Sequence, residues 1–279
     1  MSGVGRRLLL AAACFLASAI ALAFLVLPLV ALLTHEPPGR LWDELSNHVV
    51  TDALLISLET SAAAQAAILI IGTPLAYLLG RRRFRGRGAL ITLIELPIVL
   101  PPAVAGIGLI VAFGRTQLLG GVVSTLGIDV SFDRAAVVLA VAFVAAPLYI
   151  RTAIAAFGAV DGRLIDASRT LGAGPTRTFF RVVLPLASGG LAAATALSLA
   201  RGLGEFGATI MFAGNLQGVT QTLSLAIYSE FDTNLDVALT IAALFVIIIG
   251  AVLATLKLTS QWHSSRSASR SRFAISASS

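Results

Sequence analysis

Arg201 and Glu205 stand four residues apart in an otherwise apolar stretch, where opposite charges at i and i+4 meet on one face of a helix. A charge at the centre of a membrane helix costs roughly 2.5–3.5 kcal/mol on insertion scales, so neither residue is expected to face lipid. Such a pair either ties the structure together or lines a route for charge, and both readings stay open. Thr209 and Asn215, further along the same stretch, join them as pathway or gate candidates.

Other chemistries find no support. Residues 202–207 match G-x-G-x-x-G, but that pattern binds a dinucleotide only after a strand and before a helix. Here it falls inside a predicted membrane helix. A phosphate-binding Walker loop needs Lys followed by Ser or Thr, and the only lysine, Lys257, precedes Leu258. Cys14 is alone, and His35, His48 and His263 are scattered without ligand spacing. No catalytic residue, metal site or cofactor is expected, and any ATP used must be bound by another subunit.

The elements that carry these residues follow from composition. The chain has 279 residues, is 57% hydrophobic and only 12% charged, with mean hydropathy +0.92. Soluble domains carry about 25% charged residues, so this chain has roughly half the charge a water-facing surface needs. Six apolar segments are predicted to span a bilayer: 8–33, 53–79, 89–113, 135–150, 184–212 and 237–258. The first follows Arg6 and Arg7, but its apolar run exceeds that of a signal peptide, so an uncleaved span is expected.

Net charge is +6, and the arginines lie in short loops, where they set topology rather than bind nucleic acid. Residues 34–52 oppose Arg40 to Glu36, Asp43, Glu44 and Asp52, whereas residues 80–88 hold five arginines and no acid. Residues 114–134 balance, and residues 151–183 are again basic. The alternation predicts six spans with both termini cytoplasmic. Residues 259–279 are Ser- and Arg-rich and are expected to be a disordered tail. In the fifth span Ser188, Ala192, Ala196, Ala200, Gly204 and Ala208 fall every fourth residue, a stripe that suits close helix contact within the subunit or across a dimer.

The basic segment 158–183 is unusual. Leu164, Ile165, Ala167, Ser168 and Leu171 recur at helical spacing, with Arg163, Asp166, Arg169 and Thr170 elsewhere, and Gly172 and Gly174 end the pattern. A short amphipathic helix of small residues suits a groove on a partner protein better than it suits lipid.

Asp166, Ala167 and Ser168, then Gly172, then after nine residues Val182, Leu184 and Pro185 resemble the E-A-A-x-x-x-G-x(9)-I-x-L-P coupling motif of bacterial ABC importer permeases. Asp replaces Glu, Ser replaces the second Ala, and Val replaces Ile. The resemblance implies that Asp166, Ala167, Ser168, Gly172, Leu184 and Pro185 couple the chain to an ATPase. Residues 200–215, with Thr220-Gln221-Thr222 and Ala226-Ile227-Tyr228 after them, are similar to molybdate permease subunits, as is the stretch 96–102. The family implies an all-α, six-helix type I importer permease in the bacterial plasma membrane. It also implies a homodimer around one pathway, two copies of an ATP-binding subunit, and an extracytoplasmic oxyanion-binding protein. Tungstate, or sulfate and thiosulfate, are alternative cargoes. An ion channel or a membrane enzyme is the alternative of another class, the first needing a filter loop and the second a catalytic cluster.

Overall fold

Lipid offers no hydrogen bonds, so an apolar chain must satisfy its backbone internally. Among the described residues of the computed structural model, helix is the regular structure present. The structure describes residues 3–35, 39, 43–44, 46–114, 117–121 and 132–276, with side chains for Arg7 and from Leu10 to Thr255 within those ranges. In chain order the helices are α1 (Gly3–His35), α2 (His48–Arg81), α3 (Arg87–Val99), α4 (Pro102–Phe113), α5 (Arg134–Gly158), α6 (Gly162–Thr170), α7 (Pro175–Leu203), α8 (Gly207–Ala213), α9 (Leu223–Phe231) and α10 (Leu235–Ser276). Five of them are long and apolar enough to cross a membrane, and α3 with α4 makes a sixth, bent candidate.

The core forms around α5. Gly72 and Gly80 of α2 bring that helix against Tyr149 and Phe157, so α2 and α5 run parallel. Thr73 and Tyr149 share a hydrogen bond of 2.6 Å. On another face α7 runs antiparallel to α5. Gly190 meets Ala156, the Ser198 hydroxyl donates to the Ala145 carbonyl at 3.2 Å, and Gly202 meets Val141. Small residues let these backbones approach, as lipid-embedded helices require. The residues of α7 that meet α5 are Gly190, Ala194, Ser198 and Gly202; of the expected stripe Ala196 and Ala208 are buried, and Ser188 and Gly204 are exposed. Two ion pairs cross between helices, Arg134 with Glu59 and Arg151 with Glu95. α1 is exposed along most of its length and meets α10.

Several span limits need correction. The predicted third span, 89–113, is not one helix: α3 and α4 meet at 114°. Pro102 lacks the N–H that would continue α3, and it holds Pro101 extended at φ −55°, ψ 134°. The fifth span, placed at 184–212, begins at Pro175 and stops at Leu203. Pro175 opens the helix, and a π-turn over Phe179–Val183, in which the Leu184 N–H donates to the Phe179 carbonyl, absorbs the missing donor of Pro185. The expected loop 158–183 is therefore largely helical. The fourth span, placed at 135–150, continues to Gly158 because Arg151 ends the apolar run but not the helix. α10 continues past residue 258 to Ser276, and the tail expected from residue 259 has its side chains outside the described residues.

Candidate functional site

Asp161 starts α6. Its carboxylate accepts the Arg163 N–H at 3.0 Å and pairs with the Arg163 guanidinium at 2.8 Å. These bonds from Arg163 hold the Asp161 carboxyl below its ordinary value of 3.8. One residue, Ile165, is buried and anchors the helix. The end of α6 is a Schellman closure: the Gly172 N–H donates to the Arg169 carbonyl at 2.9 Å, and the Ala173 N–H to the Ser168 carbonyl at 3.1 Å. Gly172 sits at φ +81°, where a side chain is strained. The Ser168 and Thr178 hydroxyls lie 3.2 Å apart, with Thr178 buried, which ties α6 to the first turn of α7.

The coupling candidates divide between two grooves. Ala167, Ser168 and Pro185 line one of about 620 Å³, together with Leu164, Leu171 and Val182. Leu164 and Leu171 are exposed there, giving α6 a free apolar face. Asp166 instead lines a separate cleft of about 1010 Å³ with Arg81, Arg82 and Arg169. Gly172 and Leu184 line neither groove: Gly172 ends the helix and Leu184 closes the π-turn.

At the far end of α7 the helix stops at Gly204, and Arg201 and Glu205 pair across the stop at 2.8 Å. Glu205 is 1% exposed and Arg201 36%. The other Glu205 oxygen accepts the Ala208 N–H at 2.8 Å, so one carboxylate neutralises Arg201 and starts α8. α8 then lies against α4 at backbone distance. A Cβ on Gly207 would stand 2.4 Å from the Pro102 side chain, and one on Gly106 would stand 2.6 Å from Met211. The two interrupted spans thus resume side by side.

Thr209 is fully buried on α8, its hydroxyl without a hydrogen bond. Asn215 stands apart from the other three pathway candidates. Its amide donates to the Ser229 hydroxyl at 2.6 Å, and Gln221 donates to the same hydroxyl at 3.3 Å. Asp161, Thr178 and Ser229 are not among the residues that the sequence singles out, and Gln221 figures there only within the Thr220-Gln221-Thr222 resemblance. An Asp just before an amphipathic run is an N-cap signal that was available for the first; the others depend on contacts that spacing does not reveal. Among the described residues no group of His, Cys, Asp or Glu could hold a metal ion.

Residues 72–258 match the family model described as the inner membrane component of binding-protein-dependent transport systems. A molybdenum transport system permease protein of Mycobacterium tuberculosis is 39% identical over 85% of this chain and 90% of its own. Its Escherichia coli counterpart is 42% identical over 65% of this chain and 80% of its own. A permease-sized chain in the crystal structure of a bacterial ABC transporter that imports the acidic polysaccharide alginate superimposes with a TM-score of 0.72 at 17% identity, over 92% of this chain and 96% of that one. The fold is thus that of an ABC importer permease, and the chain belongs to the family of binding-protein-dependent transport system inner membrane components.

Proposed function

We propose that this chain is the membrane-spanning permease subunit of an ATP-driven molybdate importer. The observation that carries the cargo is the 39% identity to a molybdenum permease across 85% of the chain. Two copies form one pathway, two copies of a separate ATP-binding subunit bind beneath them, and an extracytoplasmic binding protein delivers the oxyanion. Both termini are cytoplasmic, on the side of the arginine-rich loops.

The mechanism follows from how α6 and α7 are joined. The ATPase seats on the apolar face of α6 at Leu164, Ala167 and Leu171. Nucleotide shifts the permease only through its unequal affinity for the two states of the ATPase pair. The rigid stop at Gly172 and the link from Ser168 to Thr178 pass any displacement of α6 into α7. That helix has 29 residues and is roughly 44 Å long at about 1.5 Å per residue. It ends just past Arg201, which pairs with Glu205 beyond the stop, so α6 and this ion pair sit at opposite ends of one rod. Rotation of α7 then re-aims the α4 and α8 layer and opens the path to the delivered anion.

The test is reconstitution of the chain in vesicles together with the oxyanion-binding protein, with and without the ATPase partner, following molybdate uptake in competition with tungstate and sulfate. ATP-dependent molybdate uptake that sulfate leaves intact is the expected result. ATP turnover by the isolated chain, or uptake by a stable monomer, would overturn the assembly. Sulfate outcompeting molybdate would overturn the cargo.

A further inference from the structure

The cleft beside the coupling helix has an unassigned chemistry. It measures about 1010 Å³ and lies between the arginine-rich end of α2, the polar side of α6 and the start of α7. Its inner wall carries Pro74, Leu78 and Phe180, with Leu78 41% and Phe180 60% exposed. Its rim carries Arg81, Arg82 and Arg169 against the one acid Asp166. Arg81 donates to the Val160 carbonyl at 2.7 Å and also lies close enough to Asp161 to stabilise that carboxylate, while Arg82 and Arg169 have no ion pair among the described residues.

Depth decides what fits. Pro74 lies about 12 Å along the helix axis from Arg82, so the cleft runs from a cationic rim into the apolar layer of a membrane-spanning protein. We propose that this cleft holds one anionic phospholipid, its phosphate between Arg82 and Arg169 and its upper acyl chain on Leu78 and Phe180. Basic pockets between membrane helices on the cytoplasmic side have this chemistry. A free phosphate ester satisfies the arginines but leaves the exposed Leu78 and Phe180 uncovered. Of the coupling candidates, Ala167, Ser168 and Pro185 line the other groove on the apolar side of α6, where the ATPase is proposed to seat, and Asp166 alone lines this cleft. A lipid here would wedge α6 against α2 and so set the rest position of the coupling helix. The inference rests on the proposed seat of the ATPase on the apolar side of α6, and not on the identity of the transported ion.

The experiment is native mass spectrometry of the full-length chain in mild detergent, given equal amounts of phosphatidylglycerol and phosphatidylcholine of matched chains. One phosphatidylglycerol per chain is expected, retained about tenfold over phosphatidylcholine. The double variant Arg82→Gln, Arg169→Gln should lose that preference with its thermal midpoint unchanged. Arg83→Gln with Arg85→Gln, in the same loop but outside the cleft lining, should keep it. Equal retention of the two lipids by the natural chain overturns the proposal. So does a preference that survives the first double variant, an equal loss in the second, or displacement of the lipid by matched concentrations of glycerol phosphate.

Discussion

The two ends of α7 are built in opposite ways. At Gly204 the chain is closed on itself: Glu205 is buried, both its oxygens are engaged, and glycines seat α8 on α4 at backbone distance. At Pro175 the chain is open. One residue of α6 is buried, its apolar face is bare, and a groove and a cleft lie on either side of it. A closed end has little left to offer another molecule, whereas an open end is completed by one. We propose that stability resides at the break and communication with a partner at α6. Substitutions should therefore separate, those at the closed end damaging the fold and those at the open end damaging function in a folded chain.

The largest expected effect tests the closed end. Glu205→Ala strands Arg201 and removes the acceptor for the Ala208 N–H. Breaking a buried pair costs about 3–5 kcal/mol, and the partial exposure of Arg201 points to the lower figure. Removing both groups relieves the stranded charge but not the lost acceptor of the Ala208 N–H, so Arg201→Ala with Glu205→Ala should recover part of the loss, as should Glu205→Gln, which keeps an acceptor. Thermal stability in detergent and uptake in vesicles would be read together. Purely additive losses across the cycle would show that the two residues do not act as a pair.

Next comes the packing of the same end. Gly207→Ala places a Cβ 2.4 Å from the Pro102 side chain, and overpacking of this kind costs about 1–3 kcal/mol. Gly204→Ala is the control. Its nearest neighbour is the Ala200 carbonyl at 3.6 Å and its φ is −83°, so the change should stay within about 0.5 kcal/mol. Equal losses at the two glycines, by thermal denaturation, would mean that the break itself, not the contact with Pro102, needs glycine.

These two ends also differ in how far the sequence revealed them. The open end was legible because its signals are local: an amphipathic repeat, Gly172 at its stop, and Leu184 and Pro185 at a fixed distance. Spans and their number were legible because hydropathy is a sum over many residues. The break at Pro101-Pro102 was marked as a turn or kink by the proline pair itself, but the one at Gly204 was not. Hydropathy alone places a span across both positions, while backbone direction depends on single dihedrals and missing donors. The pair of Arg201 and Glu205 was visible as an i, i+4 spacing, yet the second task of Glu205, starting α8, depends on a break that the same spacing hides. Contacts between distant segments, such as Gly207 with Pro102 or Ser168 with Thr178, leave no periodic trace at all.

The open end should respond in function instead. Gly172 adopts φ +81° with nothing within 4 Å of an added Cβ, so Gly172→Val meets backbone strain and no clash. Left-handed backbone costs a non-glycine residue roughly 1–2 kcal/mol, concentrated at the stop of α6. The chain should insert and fold, while ATP hydrolysis by the bound partner proceeds without uptake. Gly172→Asn, which tolerates that backbone better, should retain more coupling. Uptake by Gly172→Val at the natural rate per ATP would remove the coupling role of the stop.

The smallest effect concerns the other end of α6 and its dependence on pH. Asp161 is held below its ordinary value of 3.8 chiefly by the side-chain hydrogen bond from Arg163, then by the Arg163 backbone N–H. A carboxyl depressed in the folded state contributes stability that is fully present above its unfolded value. That contribution is lost as pH falls through the folded value. The cap of α6 should therefore be constant from pH 8 to pH 5 and weaken only below about 4. Asp161→Asn keeps a side-chain oxygen for the Arg163 N–H but gives up the charge, so it should lower the thermal midpoint slightly. The gap between the natural chain and this variant should stay flat from pH 8 to pH 5 and close on further acidification. A gap that changes between pH 8 and pH 5 would assign the titration to another group. Because the exposed pair is screened, salt should narrow the gap at neutral pH as well, whereas the buried end at Glu205 should be far less sensitive to it.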